Sequence, residues 1–167
     1  MIRIPESGVE FGDLKADDCY QIEHSQGHQS LGDGFKMVEF TYLREQKLFV
    51  VEAKSSIPKA SSQPDYDNYW AEILEKFENA LLLQVMAYLK RNPSAEQELP
   101  TNHTAMDWQH TSLQLRLVIP KVPTQFLPPL TDKFRQSLKR LKTLWCIRDS
   151  HIFVLNEDKA RSEGLLV

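Results

Sequence analysis

The stretch VEFTYLREQKLFVVEAKSS, residues 38–56, decides the reading of this chain. It has the form of two apolar strands joined by a charged turn, yet it carries Glu39 in the first strand and Glu52 in the second, with Lys54 two residues on. Side chains alternate between the faces of a strand, so Glu52 and Lys54 share a face with Leu48 and Val50, while Phe49, Val51 and Ala53 point the other way. Glu39 shares a face with Thr41 and Leu43. A two-residue turn (Glu45-Gln46) and a four-residue turn (Arg44 to Lys47) give the same register, with Leu43 facing Leu48 and Glu39 facing Glu52. Directly opposed side chains have Cβ atoms roughly 5 Å apart, and like charges at that spacing destabilise a sheet. A compensating partner is therefore expected. A hard divalent cation such as Mg²⁺ or Mn²⁺ takes carboxylate and water oxygens; the plainer alternative is a solvent-facing hairpin with a Glu52–Lys54 pair.

Outward from the hairpin, the pattern is mixed. CYQIEH (19–24) reads as a short strand, QGHQSLGDGF (26–35) as a Gly-rich loop, and SSIPKASSQP (55–64) as a connection bordering the hairpin's end. A long amphipathic helix follows over DYDNYWAEILEKFENALLLQVMAYLKR, with Tyr66, Trp70, Ile73, Leu74, Phe77, Leu81, Val85, Tyr88 and Leu89 on its apolar stripe. Asp65 or Asp67 suits its start, and Asn92-Pro93 ends it. Residues 92–111 read as a loop, and SLQLRLVIP as a strand with Leu113, Leu115, Leu117 and Ile119 on one face. LTDKFRQSLKRLKTLW (130–145) reads as a second helix and HIFVLN as a last strand. Strands, helix, strand, helix, strand is an α/β pattern built on a single mixed sheet flanked by helices.

The length, 167 residues, suits one domain over 1–167. No apolar run reaches membrane-spanning length, and the first residues lack the pattern of a secretory signal. Two cysteines in such a chain suggest free thiols in the cytoplasm. A net charge of −3 gives no global attraction to nucleic acid. One local exception stands out. Residues 131–148 carry Lys133, Arg135, Lys139, Arg140, Lys142 and Arg148 against Asp132 alone, a basic face that can track a phosphate backbone or meet an acidic partner. His24 and His28 near Cys19 lack the company a zinc site needs.

Acid-x-Lys triplets occur four times, but only Glu52-Ala53-Lys54 closes an apolar strand that faces another strand acid. That arrangement resembles the PD-(D/E)XK nuclease superfamily. Gln84-Val85-Met86-Ala87-Tyr88 resembles the Q-x3-Y signature of its RecB-type members. Together the two elements span about residues 36–90. The resemblance implies a restriction-endonuclease-like core and Mg²⁺- or Mn²⁺-dependent hydrolysis of nucleic-acid phosphodiesters, by an endonuclease or an exonuclease. Carried over, Glu39 and Glu52 bind the metal with the backbone carbonyl of Ala53. Glu23 or Glu10 supplies a further acid, a choice the sequence leaves open. Lys54 is the catalytic lysine, supported by Gln84 and Tyr88. Lys133, Arg135, Lys139, Arg140 and Lys142 contact nucleic acid. A partner protein or a homodimer is expected, as in a subunit of a nucleic-acid-processing or anti-phage defence system. The alternative is a nuclease-like module without the chemistry that binds nucleic acid or a partner protein. The first strand acid is Glu and Val38 precedes it, both departures from the superfamily pattern.

Overall fold

The computed structural model describes residues 1–167. In chain order it contains β1 (Ile2–Glu6), β2 (Val9–Leu14), β3 (Cys19–Tyr20), α1 (Gln26–Ser30), β4 (Phe40–Arg44), β5 (Lys47–Ala53), α2 (Asp65–Tyr88), α3 (Pro93–Glu98), α4 (Thr101–Thr104), β6 (Ser112–Val118), α5 (Leu127–Ser137), α6 (Lys139–Leu144), β7 (Ile152–Leu155) and α7 (Glu157–Ser162). Five strands form one mixed sheet in the order β3-β4-β5-β6-β7. The β3–β4 and β4–β5 pairs are antiparallel, and β5–β6 and β6–β7 are parallel. This is the α/β architecture expected, a mixed sheet with flanking helices.

The hairpin closes through two residues, Glu45 and Gln46, with φ of 51° and 59°. Two successive left-handed residues make the turn whose twist matches that of paired strands. Leu43 faces Leu48 and Phe40 faces Val51. The ladder stops there. At Glu39 the chain bends, and its N–H donates to Val51 O at 3.0 Å. Glu39 is therefore not a ladder partner of Glu52; the acids approach from a strand end and a strand interior.

Parallel neighbours require crossovers, and helices supply them. α2 links β5 to β6, and α5 with α6 links β6 to β7. Both crossovers cover the same sheet face, where Ile73, Phe77, Phe134 and Leu138 pack on Leu48, Val50, Leu115 and Leu117. The residues of the second crossover do not form one helix; Leu138, at φ −92° and ψ 12°, separates α5 from α6. The opposite face holds a second layer, the β1–β2 hairpin and α7, through Phe11, Leu14, Phe40, Val51 and Leu165. Two segments expected as loops contain short helices, α1 within 26–35 and α3 and α4 within 92–111. Asn92 caps α3 by accepting from Ala95 N–H, with Pro93 at the first helical position, a start signal inside what reads as a polar loop.

β7 is an edge strand, and side chains occupy part of its edge. Thr131 Oγ1 accepts from Val154 N–H at 3.1 Å, and Arg135 Nε donates to Ile152 O at 3.0 Å. Such capping blocks strand addition. No helix is long and apolar enough to cross a membrane.

Phe134 is fully buried and lies 5.4 Å from Phe77 and 6.3 Å from Trp70 between ring centroids. Phe134→Ala should cost about 3–5 kcal/mol by urea denaturation. Leu144→Ala, at a residue 82% exposed, should stay within about 0.5 kcal/mol.

Candidate functional site

Glu52 lies near the end of β5 on the helix-covered face and is completely buried. A buried carboxylate needs a partner. It has one in Lys76 of α2, whose Nζ donates to Glu52 Oε1 at 2.8 Å. Lys76 lies three residues after Ile73 and four before Ala80, on the buried stripe of α2. Its Nζ also lies 3.8 Å from Glu23 Oε1. Lys54 Nζ approaches the same Glu52 oxygen at 3.8 Å and donates to Glu72 Oε1 at 2.9 Å. Glu72, one helical turn before Lys76, accepts from Lys36 through its other oxygen at 3.1 Å. A chain of alternating charge results: Lys36, Glu72, Lys54, Glu52, Lys76 and Glu23, with Glu39 beyond.

Glu39 meets Glu23 as a carboxyl pair. Burial, the hydrogen bond to Glu23 and the charge of Glu52 push the Glu39 carboxyl up to about 9. At neutral pH Glu39 thus retains its proton and donates it towards Glu23. Burial also raises Glu52, to about 7, against the pull of Lys76 and Lys54. Lys54 holds Glu72 below the usual carboxylate range by hydrogen bonding. Burial pulls Lys76 down, but Glu52 first and then Glu23 and Glu39 outweigh it and leave it raised. Glu52 Oε2 is buried and has no partner.

Of the residues singled out in the sequence, Glu52, Lys54 and Glu23 are therefore linked through lysine ammonium groups, and Glu39 lies against Glu23 within the field of Glu52. Glu10 does not join them; it is exposed on β2 and pairs with Arg3 at 3.5 Å. Gln84 is buried but turns to a different set of partners. Its Oε1 accepts from Thr41 Oγ1 at 2.8 Å, and its Nε2 meets His103 Nδ1 at 2.6 Å. Tyr88 packs against Trp108, with ring centroids 6.1 Å apart. At 1.5 Å rise per residue, Tyr88 lies about 18 Å along α2 from Lys76. In the basic segment, Lys133 sits over the Tyr66 ring at 5.4 Å, Arg135 is held at Ile152 O, and Lys142 pairs with Asp149 at 2.6 Å. Lys139 and Arg140 are exposed and line a groove with Leu82 and Leu144. His24 and His28 stack on one another, and Cys19 is buried.

Lys76 and Glu72 of α2, with Lys36 before β4, are the members of the site that the sequence reading missed. The signal of the α2 pair is present: a lysine at a buried-stripe position, with an acid one turn before it. Comparison with protein-family models, curated proteins and solved structures finds no match to this chain.

Two predictions follow from the charges. Lys76→Met leaves Glu52 buried without its main partner and should destabilise the protein by about 3–5 kcal/mol at pH 8. Without Lys76, whose charge and hydrogen bond hold the Glu52 carboxyl down, that carboxyl is raised further; lowering the pH protonates it and should recover part of the loss, as should adding Glu52→Gln, and urea denaturation at two pH values reads both effects. The second concerns Glu39, whose folded-state value near 9 exceeds the unfolded value of about 4.3. The folded state binds a proton that the unfolded state has released, so this group's contribution falls as pH rises from the lower value to the upper. The melting temperature of the metal-free protein should decline across that window, and Glu39→Gln should flatten the decline.

Proposed function

We propose that the chain is a divalent-metal-dependent nuclease with a restriction-endonuclease-like core, acting on nucleic-acid phosphodiester bonds. The observation that carries the reading is the meeting of Glu39, Glu52 and Lys54 at the open end of the hairpin, beside Glu23 and Lys76. No three acidic, histidine or cysteine side chains form a ready cation cage. Mg²⁺, however, is commonly held by one or two carboxylates, keeping water for the rest of its shell. The residues fit it in donor type and charge: Glu52 Oε2 is buried and unpartnered, and Glu39 is raised by its burial and by the neighbouring carboxyls of Glu23 and Glu52. Glu39 and Glu52, with the Ala53 carbonyl, are the residues that would hold Mg²⁺ or Mn²⁺. A metal so bound supplies an activated water and neutralises charge on the phosphoryl group.

The chain's own groups have separate roles in this reading. Lys76 fixes Glu52 by its 2.8 Å hydrogen bond. Lys54, anchored by Glu72 and a quarter exposed, presents its ammonium to a phosphate oxygen or to the attacking water. Glu39 must release its proton before it can serve as a ligand, so metal binding, and activity at limiting metal, should strengthen as the pH rises. Lys139 and Arg140 are the exposed cations of the basic segment available to a phosphate backbone. Exposed Leu82 and Leu144 beside them support a protein partner or a second copy, as in a subunit of a defence or nucleic-acid-processing assembly. Two cysteines without a disulfide support a reducing cytoplasm.

A second reading has its own observation. Lys76 already satisfies Glu52 Oε1, so the acids and lysines can serve as an internal brace in a module that binds nucleic acid or a partner without cutting it. Cleavage of DNA and RNA with Mg²⁺ or Mn²⁺ separates the two. Wild type should cut, Lys54→Ala should slow cutting by about 10²–10⁴-fold, and Glu52→Ala should abolish it. Equal residual activity in all three points to a contaminant and overturns the nuclease reading.

A further inference from the structure

One aromatic cavity outside the acidic network is assembled from three distant parts of the chain. Tyr88 at the end of α2, Trp108 in the loop after α4, and Trp145 just after α6 line one cavity of about 610 Å³. Trp108 stands between the other two rings, 6.1 Å from Tyr88 and 6.2 Å from Trp145. All three are half-buried. Trp108 Nε1 is buried and donates to no acceptor in the protein. The rim is cationic. Arg148 is exposed and makes no ion pair. His151, also on the rim, is held below its ordinary value by burial and then by Arg148, Arg116 and Lys47, so the local potential is positive. Of the nearby acids, Asp149 is ion-paired with Lys142 at 2.6 Å and Asp107 is held by His110 at 2.7 Å.

We propose that this cavity binds a nucleobase together with its phosphate. The volume lies in the range of small-ligand sites. An aromatic wall offers a flat ring a stacking surface whatever its hydrogen-bonding pattern, which suits an unpaired base. Arg148 offers the planar, paired donors that phosphate oxygens accept. A purely apolar ligand has no use for a cationic rim, and a simple anion has no use for three rings. The choice of a nucleic-acid ligand rests on the nuclease reading; the site itself does not, since it lies at the C-terminal end of α2, about 18 Å along the helix from Lys76. In that reading the cavity grips an unpaired stretch away from the point of cleavage.

Two of the chain's three tryptophans, Trp108 and Trp145, line the site and report on it. Tryptophan fluorescence is followed while oligothymidylate, and separately thymidine monophosphate, is added to the full chain in EDTA, where no cleavage occurs. Saturable quenching is expected, with Arg148→Glu weakening binding at least tenfold and Trp145→Leu removing most of the quench. A mononucleotide that binds as tightly as the oligomer identifies a free nucleotide as the ligand; a tighter oligomer identifies a nucleic-acid strand. Absence of saturable quenching with both probes, or unchanged affinity in the exposed-site variant Arg148→Glu, overturns the proposal. Cleavage sensitive to Glu52→Ala but without quenching overturns the cavity alone, and quenching without cleavage overturns the nuclease reading alone.

Discussion

The hydrogen bond from Lys76 to Glu52 is the constraint on which the centre of this molecule depends. Glu52 has no access to water, and an isolated carboxylate there would be costly. The same bond fixes how α2 lies on the sheet, because Lys76 can reach Glu52 only if its helical stripe faces the end of β5. Once that contact is set, Glu72 arrives beside Lys54 one turn earlier and Gln84 arrives above Thr41 two turns later. The polar contacts run along the same helix face as the apolar ones, so they select one register of α2 among those that hydrophobic packing alone would allow.

Burial and neighbouring charges then distribute the protons. Lys54 and Lys76 pull Glu52 towards ionisation against its burial, whereas Glu39, at the end of the chain, is raised by burial first and then by Glu23 and Glu52. A raised, buried Glu39 and an unpartnered Glu52 Oε2 in the same cluster leave a deficit of positive charge there. This deficit gives the metal-dependent reading its physical basis. The fully engaged Oε1 of the same residue gives the structural-brace reading its own.

Much of the architecture could be read from local patterns. The hairpin register follows from alternation of apolar residues about a two-residue turn, and the face shared by Glu52 and Lys54 follows from the same alternation. The bend at Glu39 could not be read, because it depends on where β4 stops pairing. Lys76 was legible in principle from its spacing between Ile73 and Ala80, but a charged residue within a broad apolar stripe is easily assigned to solvent. Gln84 was legible as a buried amide, while its partners were not: His103 lies in a segment whose short helices are hidden in polar sequence. The aromatic cavity had no local signature, since residues 88, 108 and 145 meet only through the packing of α2 against the second crossover.

The most direct measurement is the titration of the glutamate side-chain carboxyls by carbon NMR in the metal-free protein. The account predicts two late-titrating groups, Glu52 with a midpoint near 7 and Glu39 near 9, assigned by Glu52→Gln and Glu39→Gln. Titration of all the glutamates in the ordinary range near 4.3 would contradict it, since neither the burial of Glu52 nor the charge deficit at Glu39 would then exist.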